Sequence, residues 1–288
     1  MGQRMKRWVG VSSALLGICV AGSVGADHLT WVIQDREHPN FCHKHLAFPF
    51  ATDCQNINGY GIWHSTFIGS WERDPAGARA VALAYRSGDC EGISCTPGAL
   101  WMIAADGRIM KRTGDWSNGS WVPQPRNACG TGTTINFDAT GKLQNLAIDS
   151  FHDVWVIDSS NKVRFWRTSG NPDCWAVVKT VPGTGTLKSI AAFESEEGGW
   201  IWAVRNRSSY FFDGEDWHLI DNDTGSISSV RNYATNASGT WLGWYDHDTG
   251  LWNPDPTWNT SFGGSIVRLT TSHEDLSYID WNGNVWLQ

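Results

Sequence analysis

The chain has 288 residues, 41% of them apolar, and 22 Lys and Arg against 29 Asp and Glu give a net charge of −7. This modest acidity, with basic residues scattered along the chain, excludes nucleic acid or an anionic membrane surface as the main partner. No Gly-rich phosphate loop joins a strand to a helix, so nucleotide chemistry and a bound cofactor are not expected.

Residues 1–26 read as a secretion signal, with Arg4, Lys6 and Arg7 as a basic start, an apolar stretch over 9–24, and Val24-Gly25-Ala26 before the cut. That stretch is too short for a stable membrane span and no other segment approaches one, so no membrane insertion is expected. The expectation is an exported, extracellular protein with a single domain over residues 27–288. Cysteine usage agrees. Without Cys19, six of the seven cysteines remain, an even number that implies disulfides in an exported chain. Spacing alone leaves their pairing open; the favoured set joins Cys42 to Cys54, Cys90 to Cys95, and Cys129 to Cys174. A competing metal reading of Cys42-His43-Lys44-His45 lacks a second cluster at ligand spacing, so no metal is expected. Five N-glycosylation acceptor sequences, at Asn118, Asn206, Asn222, Asn236 and Asn259, matter only in a eukaryotic source.

The predicted elements begin with a Trp-led strand over residues 29–34. Residues 35–77 are irregular, and GYGIWHSTFIGSW predicts two strands around Trp63 and Trp71. Strands over 80–85, 100–103, 108–111 and 121–123 follow, then an insertion over 126–141. Four similar segments come next, at 143–183, 187–225, 227–264 and 266–288. Each carries an apolar strand, a polar turn, a strand near a Trp, a second polar turn and a third strand; in the first three a Trp-led fourth strand follows. Leu146, Ile190, Val230 and Leu269 mark the first strand. Trp155, Trp202 and Trp241 mark the second; Trp175, Trp217 and Trp258 open the fourth. The last segment stops one strand short. No segment sustains a helical apolar period.

Four short strands in roughly 40 residues make a β-propeller blade, and only a ring of blades buries both faces of each. The fold class expected is therefore all-β, a propeller of six blades in preference to five. The strand over 29–34 is expected to complete the last blade and cover its open edge.

Nineteen tryptophans are far above ordinary usage. Trp155, Trp202, Trp241, Trp175, Trp217 and Trp258 recur in register, which points first to packing between sheets. Those outside the register are the binding candidates: Trp166, Trp244, Trp252 and Trp281, with Asp246, Asp248 and Asn282 as polar neighbours; Trp116 and Trp286 also fall outside it. An aromatic platform beside carboxylates and amides suits a sugar, the ring covering the C–H face while the polar groups take the hydroxyls. The same polar residues are what tight hairpins require.

The segments VWVIDSSNKVRFW…CWAVVKTVPG and LWMIAADGRIMKR…SWVPQP resemble the repeat of the tectonin (tachylectin-type) propeller family. That repeat runs apolar-Trp-x-Val-Asn/Asp, polar turn, Ile-Tyr/Phe-Arg, then Trp-x-x-Val-x-Gly. The likeness is clearest over residues 143–225. The family's Trp-Gly-Val-Asn core stands here as Trp155-Val-Ile-Asp, Trp202-Ala-Val-Arg and Trp241-Leu-Gly-Trp, so no family binding residue carries over. The resemblance implies a secreted, multivalent lectin whose partners are glycans or glycoproteins.

Two other functions fit parts of the sequence. An extracellular protein-binding scaffold would use residues 38–77, with His43, His45, Phe48, Phe50 and Tyr60 as its surface. A glycosidase or lyase would place one cluster at the channel mouth, drawn from His152-Asp153 or Asp246-His247-Asp248. No sialidase Ser-box, Gly-x-Ser-x-Gly elbow or His-Glu-x-x-His supports that enzyme reading, so no catalytic residue is assigned.

Overall fold

The computed structural model describes residues 31–34, 40–44, 52–56, 61–65, 71–74, 79–86, 90–91, 94–95, 98–114, 119–140, 144–167, 174–195, 198–228, 233–238, 240, 242–246, 249–254, 266–269, 277–280 and 284–287. The expected leader over 1–26 lies outside them. All regular structure among the described residues is β. Six sheets hold three to five strands each, and the short hairpin Cys90–Glu91 with Ser94–Cys95 stands apart.

The chain lays the sheets down almost in order. The first joins Trp31–Gln34, Gly61–Ser65 and Trp71–Arg73. The second is Ala80–Arg86, Ala99–Ala104, Ile109–Thr113 and Ser120–Pro123; the third Leu146–Ile148, Val154–Ile157, Val163–Trp166 and Ala176–Val177. The fourth is Leu187–Ser195, Gly198–Arg205, Ser208–Phe212 and Trp217–Asp221; the fifth Thr224–Ile227, Tyr233–Asn236, Leu242–Asp246 and Leu251–Pro254. The sixth begins Ile266–Leu269, Ser277–Asp280 and Asn284–Leu287, and the N-terminal strands Asn40–Lys44 and Thr52–Asn56 extend it. Sheets two to five are antiparallel meanders, and the first strand of each sheet packs against the first strand of the next from Trp31–Gln34 to Ile266–Leu269. This is the plan of a β-propeller, first strands innermost.

Three expectations are corrected. Trp31–Gln34 does not extend the last sheet; it pairs antiparallel with Gly61–Ser65 as the innermost strand of the first. The segment beside Asn284–Leu287 is Asn40–Lys44, running parallel with Asn40 opposite Asn284 and Leu287 opposite His43. The fifth sheet is also one strand out of the expected register. Thr224–Ile227 is its first strand, so Leu242–Asp246 is the third and Leu251–Pro254 the fourth. Trp252, not Trp258, is therefore its fourth-strand tryptophan; Val230, Trp241 and Trp258 lie outside the described residues.

The second strands explain the long apolar runs of the sequence. In Ala99–Ala104 and Val154–Ile157 every residue is buried, because a sheet packed between two neighbours is covered on both faces. Trp101 and Ile103 pack toward the third sheet, while Leu100 and Met102 pack toward the first. Ile201 and Ala203 face the third sheet, Trp202 and Val204 the fifth. The larger aliphatic side chains among them, such as Leu100 and Ile201, each contribute about 1.5–3 kcal/mol by leaving water.

Turns between second and third strands place a residue in the left-handed region in three successive sheets: Gly107 (φ 76°), Asn161 (φ 63°) and Asn206 (φ 57°). Gly and Asn tolerate that region best. Each of these turns is tied by its backbone to the connection entering its sheet, through Ala105 N–H to Arg79 O (3.0 Å), Ser159 N–H to Asn136 O (2.9 Å) and Asn206 N–H to Thr186 O (3.0 Å). In the fifth sheet Ala237 N–H reaches Asp223 O at 2.9 Å in the same way.

Of the favoured disulfides, the structure bonds Cys129 to Cys174. Strand registers set Cys42 opposite Cys54 and Cys90 opposite Cys95.

One exposed turn carries a pH dependence. Asp213 accepts the backbone N–H groups of Asp216 and Glu215, both at 2.8 Å, and lies 2.6 Å from His218 Nε2. Those bonds favour the carboxylate and hold its pKa at about 2, well below its ordinary value. Its folded pKa is below the unfolded one, so its stabilisation is present above the unfolded value of 3.8 and is lost as pH falls toward about 2. Asp213→Asn is expected to flatten the fall in Tm across that window; a Tm-against-pH profile parallel to wild type would refute this.

Candidate site in the wedge between two sheets

The three wedges between the second and fifth sheets each hold a second-strand Trp from the preceding sheet and a fourth-strand Trp from the following one. Trp101 meets Trp175 between the second and third sheets, and Trp155 meets Trp217 between the third and fourth. Between the fourth and fifth, Trp202 and Trp252 lie edge to face at 6.0 Å. A large flat side chain fills such a tapering space, which is why Trp recurs where it does. The four described in-register residues are buried, with Trp155 the most exposed at 9%.

The fourth-strand Trp also acts as a clasp. Its indole N–H reaches back to the chain just beyond the last strand of the preceding sheet: Trp121 to Asp74 Oδ2 (3.0 Å), Trp175 to Pro125 O (2.9 Å) and Trp217 to Lys179 O (2.7 Å). At the next junction the chain beyond the fourth sheet is only Asn222 and Asp223 before Thr224 starts the fifth. Trp252 instead lines a cleft of about 150 Å³ together with Asp221, Asp223, Thr224, Ala234, Thr235 and Asn236.

The fixed geometry of this cleft comes from the backbone. Thr224 N–H donates to Arg207 O at 2.7 Å, and Thr224 Oγ1 lies 2.8 Å from Ser209 Oγ and 3.1 Å from Asp221 Oδ2. Asp221 Oδ2 also accepts Asp223 N–H at 3.1 Å. Thr235 Oγ1 accepts Ser226 N–H at 3.1 Å. A Cβ at Gly225 would fall 2.4 Å from the carbonyl oxygen of Asn236, so only glycine lets the first and second strands approach here. Asp223 pairs through Oδ1 with Arg207 Nη2. Among the described residues nothing donates to Asp221 Oδ1 or Asp223 Oδ2.

The meander puts the second-to-third turns and the fourth-to-first connections at one end of the ring. At the axis the first strands are cross-linked. Gln144 Nε2 donates to Ile227 O at 2.8 Å, Ser226 Oγ donates to Gln144 Oε1 at 3.1 Å, and Leu269 N–H donates to Ser226 Oγ at 3.0 Å. These bonds join the third, fifth and sixth sheets past the inner edge of the fourth.

Of the residues singled out by sequence, Trp252 lines the cleft. Trp166 is 5% exposed, lies 5.3 Å from Trp175 and belongs to the interior between the second and third sheets, out of a ligand's reach. Trp244 is 38% exposed but projects from the face opposite Trp252, since Trp244 pairs with Asn253 and Tyr245 with Trp252. Asp246 Oδ1 accepts Thr249 N–H at 3.3 Å, as a hairpin turn requires. Asp248, Trp281 and Asn282 lie outside the described residues. The pair His152-Asp153 belongs to a tight turn organised by Asp149, whose carboxylate accepts Phe151 N–H and Asp153 N–H, both at 2.9 Å, and Trp155 Nε1 at 2.7 Å. Burial holds the Asp149 pKa above its ordinary value despite those bonds. Asp221 and Asp223 were not singled out by sequence, and Asn236 only as a glycosylation acceptor; the signal that could have found the aspartates is the two-residue connection itself. Among the described residues no group of three or more His, Cys, Asp or Glu is placed to hold a metal ion.

Neither a protein-family model nor a curated protein matches this sequence. Solved structures do match over most of the chain. A catalytically inactive virginiamycin B lyase from Staphylococcus aureus, solved with quinupristin, aligns over 88% of this chain and 83% of its own at 10% identity and a TM-score of 0.44. A chain of the mitotic checkpoint complex aligns over 96% and 99% at 11% identity and a TM-score of 0.42. A protein of unknown function from Bacteroides thetaiotaomicron VPI-5482 aligns over 75% and 66% at 12% identity and a TM-score of 0.33.

Proposed function

We propose that this chain is an exported carbohydrate-binding propeller that holds a sugar ring in the cleft between its fourth and fifth sheets. The observation that carries the reading is the lining itself, which brings the Trp252 indole together with Asp221, Asp223 and Asn236 in one cleft. Apolar C–H groups pack on the indole while hydroxyls donate to carboxylate oxygens that nothing else among the described residues occupies. A volume of about 150 Å³ takes one ring and leaves the rest of a glycan outside, because pockets that engulf larger ligands run to about 300–1,000 Å³. The cross-links at the axis favour this wedge over a site at the channel mouth. In the same reading the ring has six blades, and Asn40–Lys44 seals the last; its parallel pairing with Asn284–Leu287 supports that closure.

A single such site binds weakly, at about millimolar Kd. Presentation of the ligand on a repeating surface raises avidity by about 10²–10⁴-fold where several sites or several copies engage. The test is a glycan array probed with residues 27–288, disulfides intact. A related set of sugars is expected, competed by the free sugar, abolished by Trp252→Ala and retained by Trp244→Ala. Binding that survives Trp252→Ala refutes the cleft; a blank array from folded protein refutes the carbohydrate reading.

A further inference from the structure

The cleft has a charge preference, and this inference rests on the carbohydrate reading above. Its wall carries two carboxylates and no Lys, Arg or His. Arg207 pairs with Asp223 Oδ1 and does not line the cleft. Asp221 is half-buried, and its Oδ2 already accepts two bonds from its own loop, so Oδ1 is the oxygen left for a ligand. A lining that holds two carboxylates and an indole favours a cation, since the aromatic face attracts cations as the carboxylates do. The net charge of −7 adds to this at longer range.

We infer that the cleft selects sugars bearing a protonated amine, takes neutral sugars more weakly, and rejects uronic acids. A hydroxyl in the same place gains a hydrogen bond but no charge assistance. A carboxylate ligand meets the like charge of the two aspartates and the negative face of the ring.

Tryptophan fluorescence titration at low salt tests this with glucosamine, glucose and glucuronate as probes, at about pH 6, where an amine is protonated. Glucosamine is expected to bind roughly fivefold tighter than glucose, the scale of a partly exposed charge pair. Glucuronate should give no saturable signal. Salt should erode the glucosamine advantage but not the glucose affinity. Asp221→Asn should equalise glucosamine and glucose, whereas Trp252→Ala should weaken both. Equal binding of the two in the wild type, still lost with Trp252→Ala, overturns the charge preference and leaves the carbohydrate reading intact. Choline is the control for a simple ammonium site: choline bound with glucose excluded would overturn the carbohydrate reading instead. If no probe binds to folded protein, both fail.

Discussion

Asp158→Ala is expected to lower the unfolding free energy by about 3–5 kcal/mol, the scale of breaking a buried ion pair by removing one partner. Asp158 Oδ2 accepts Arg164 Nε at 2.5 Å, with the two side chains only 2% and 10% exposed. The other oxygen, Oδ1, accepts Ser160 N–H at 2.8 Å and Lys162 N–H at 3.0 Å, so one carboxylate both closes the hairpin and neutralises the guanidinium behind it. Alanine would leave Arg164 charged in a place that water reaches poorly, and two turn amides without their acceptor. Three variants separate these effects. Asp158→Asn keeps an acceptor and removes the charge, so it should fall between wild type and alanine. Adding Arg164→Met to Asp158→Ala removes the stranded cation and should recover most of the loss. Urea unfolding at constant m-value reads all three. A loss below about 1 kcal/mol for alanine would place the pair among solvated surface bridges and sink the argument.

No sequence pattern joins Asp158 to Arg164, and the same boundary between local signal and tertiary contact runs through the whole fold. The second sheet followed its predicted strands closely because Ala80–Arg86 and Ala99–Ala104 are apolar runs bounded by turn residues. The fifth sheet slipped because its first strand reads Thr-Gly-Ser-Ile. A strand held by Gly225 against Asn236 O and by Thr224 against Ser209 has no apolar signal to find. The strand beside the C-terminal one was missed for a related reason. Asn40–Lys44 carries no tryptophan, and what places it is an unfilled edge on a sheet built some 240 residues later, a long-range demand that no local pattern encodes. For the site, the misregister inverted the logic. Trp252 was singled out as an off-register aromatic, yet it is the in-register fourth-strand residue; what differs is the chain opposite it. Sequence reading weighs the residue that is present, whereas the cleft arises from the shortness of Asn222-Asp223 beside it.

The Cys129–Cys174 bond is expected to contribute about 4 kcal/mol, and to do so almost wholly through the unfolded chain. Its two cysteines are 45 residues apart, a loop whose closure entropy in a chain-entropy model has that size. In the folded state the same two segments are already joined without it. Cys129 N–H donates to Trp175 O at 3.0 Å, Trp175 N–H to Asn127 O at 2.8 Å, and Trp175 Nε1 to Pro125 O at 2.9 Å. Trp175 itself is fully buried between the second and third sheets. The double variant Cys129→Ala/Cys174→Ala should therefore keep the native near-ultraviolet spectrum while losing the stability. Trp175→Ala should do the reverse kind of damage, because it removes the buried indole and its bond to Pro125 from the native state and leaves the covalent loop intact. If the double alanine variant loses the native spectrum, the bond is shaping the folded wedge rather than restricting the unfolded chain. If it loses less than about 1 kcal/mol, the denatured chain already keeps these segments together, and the bond between Trp175 and residues 125–129 is where that residual structure would be found.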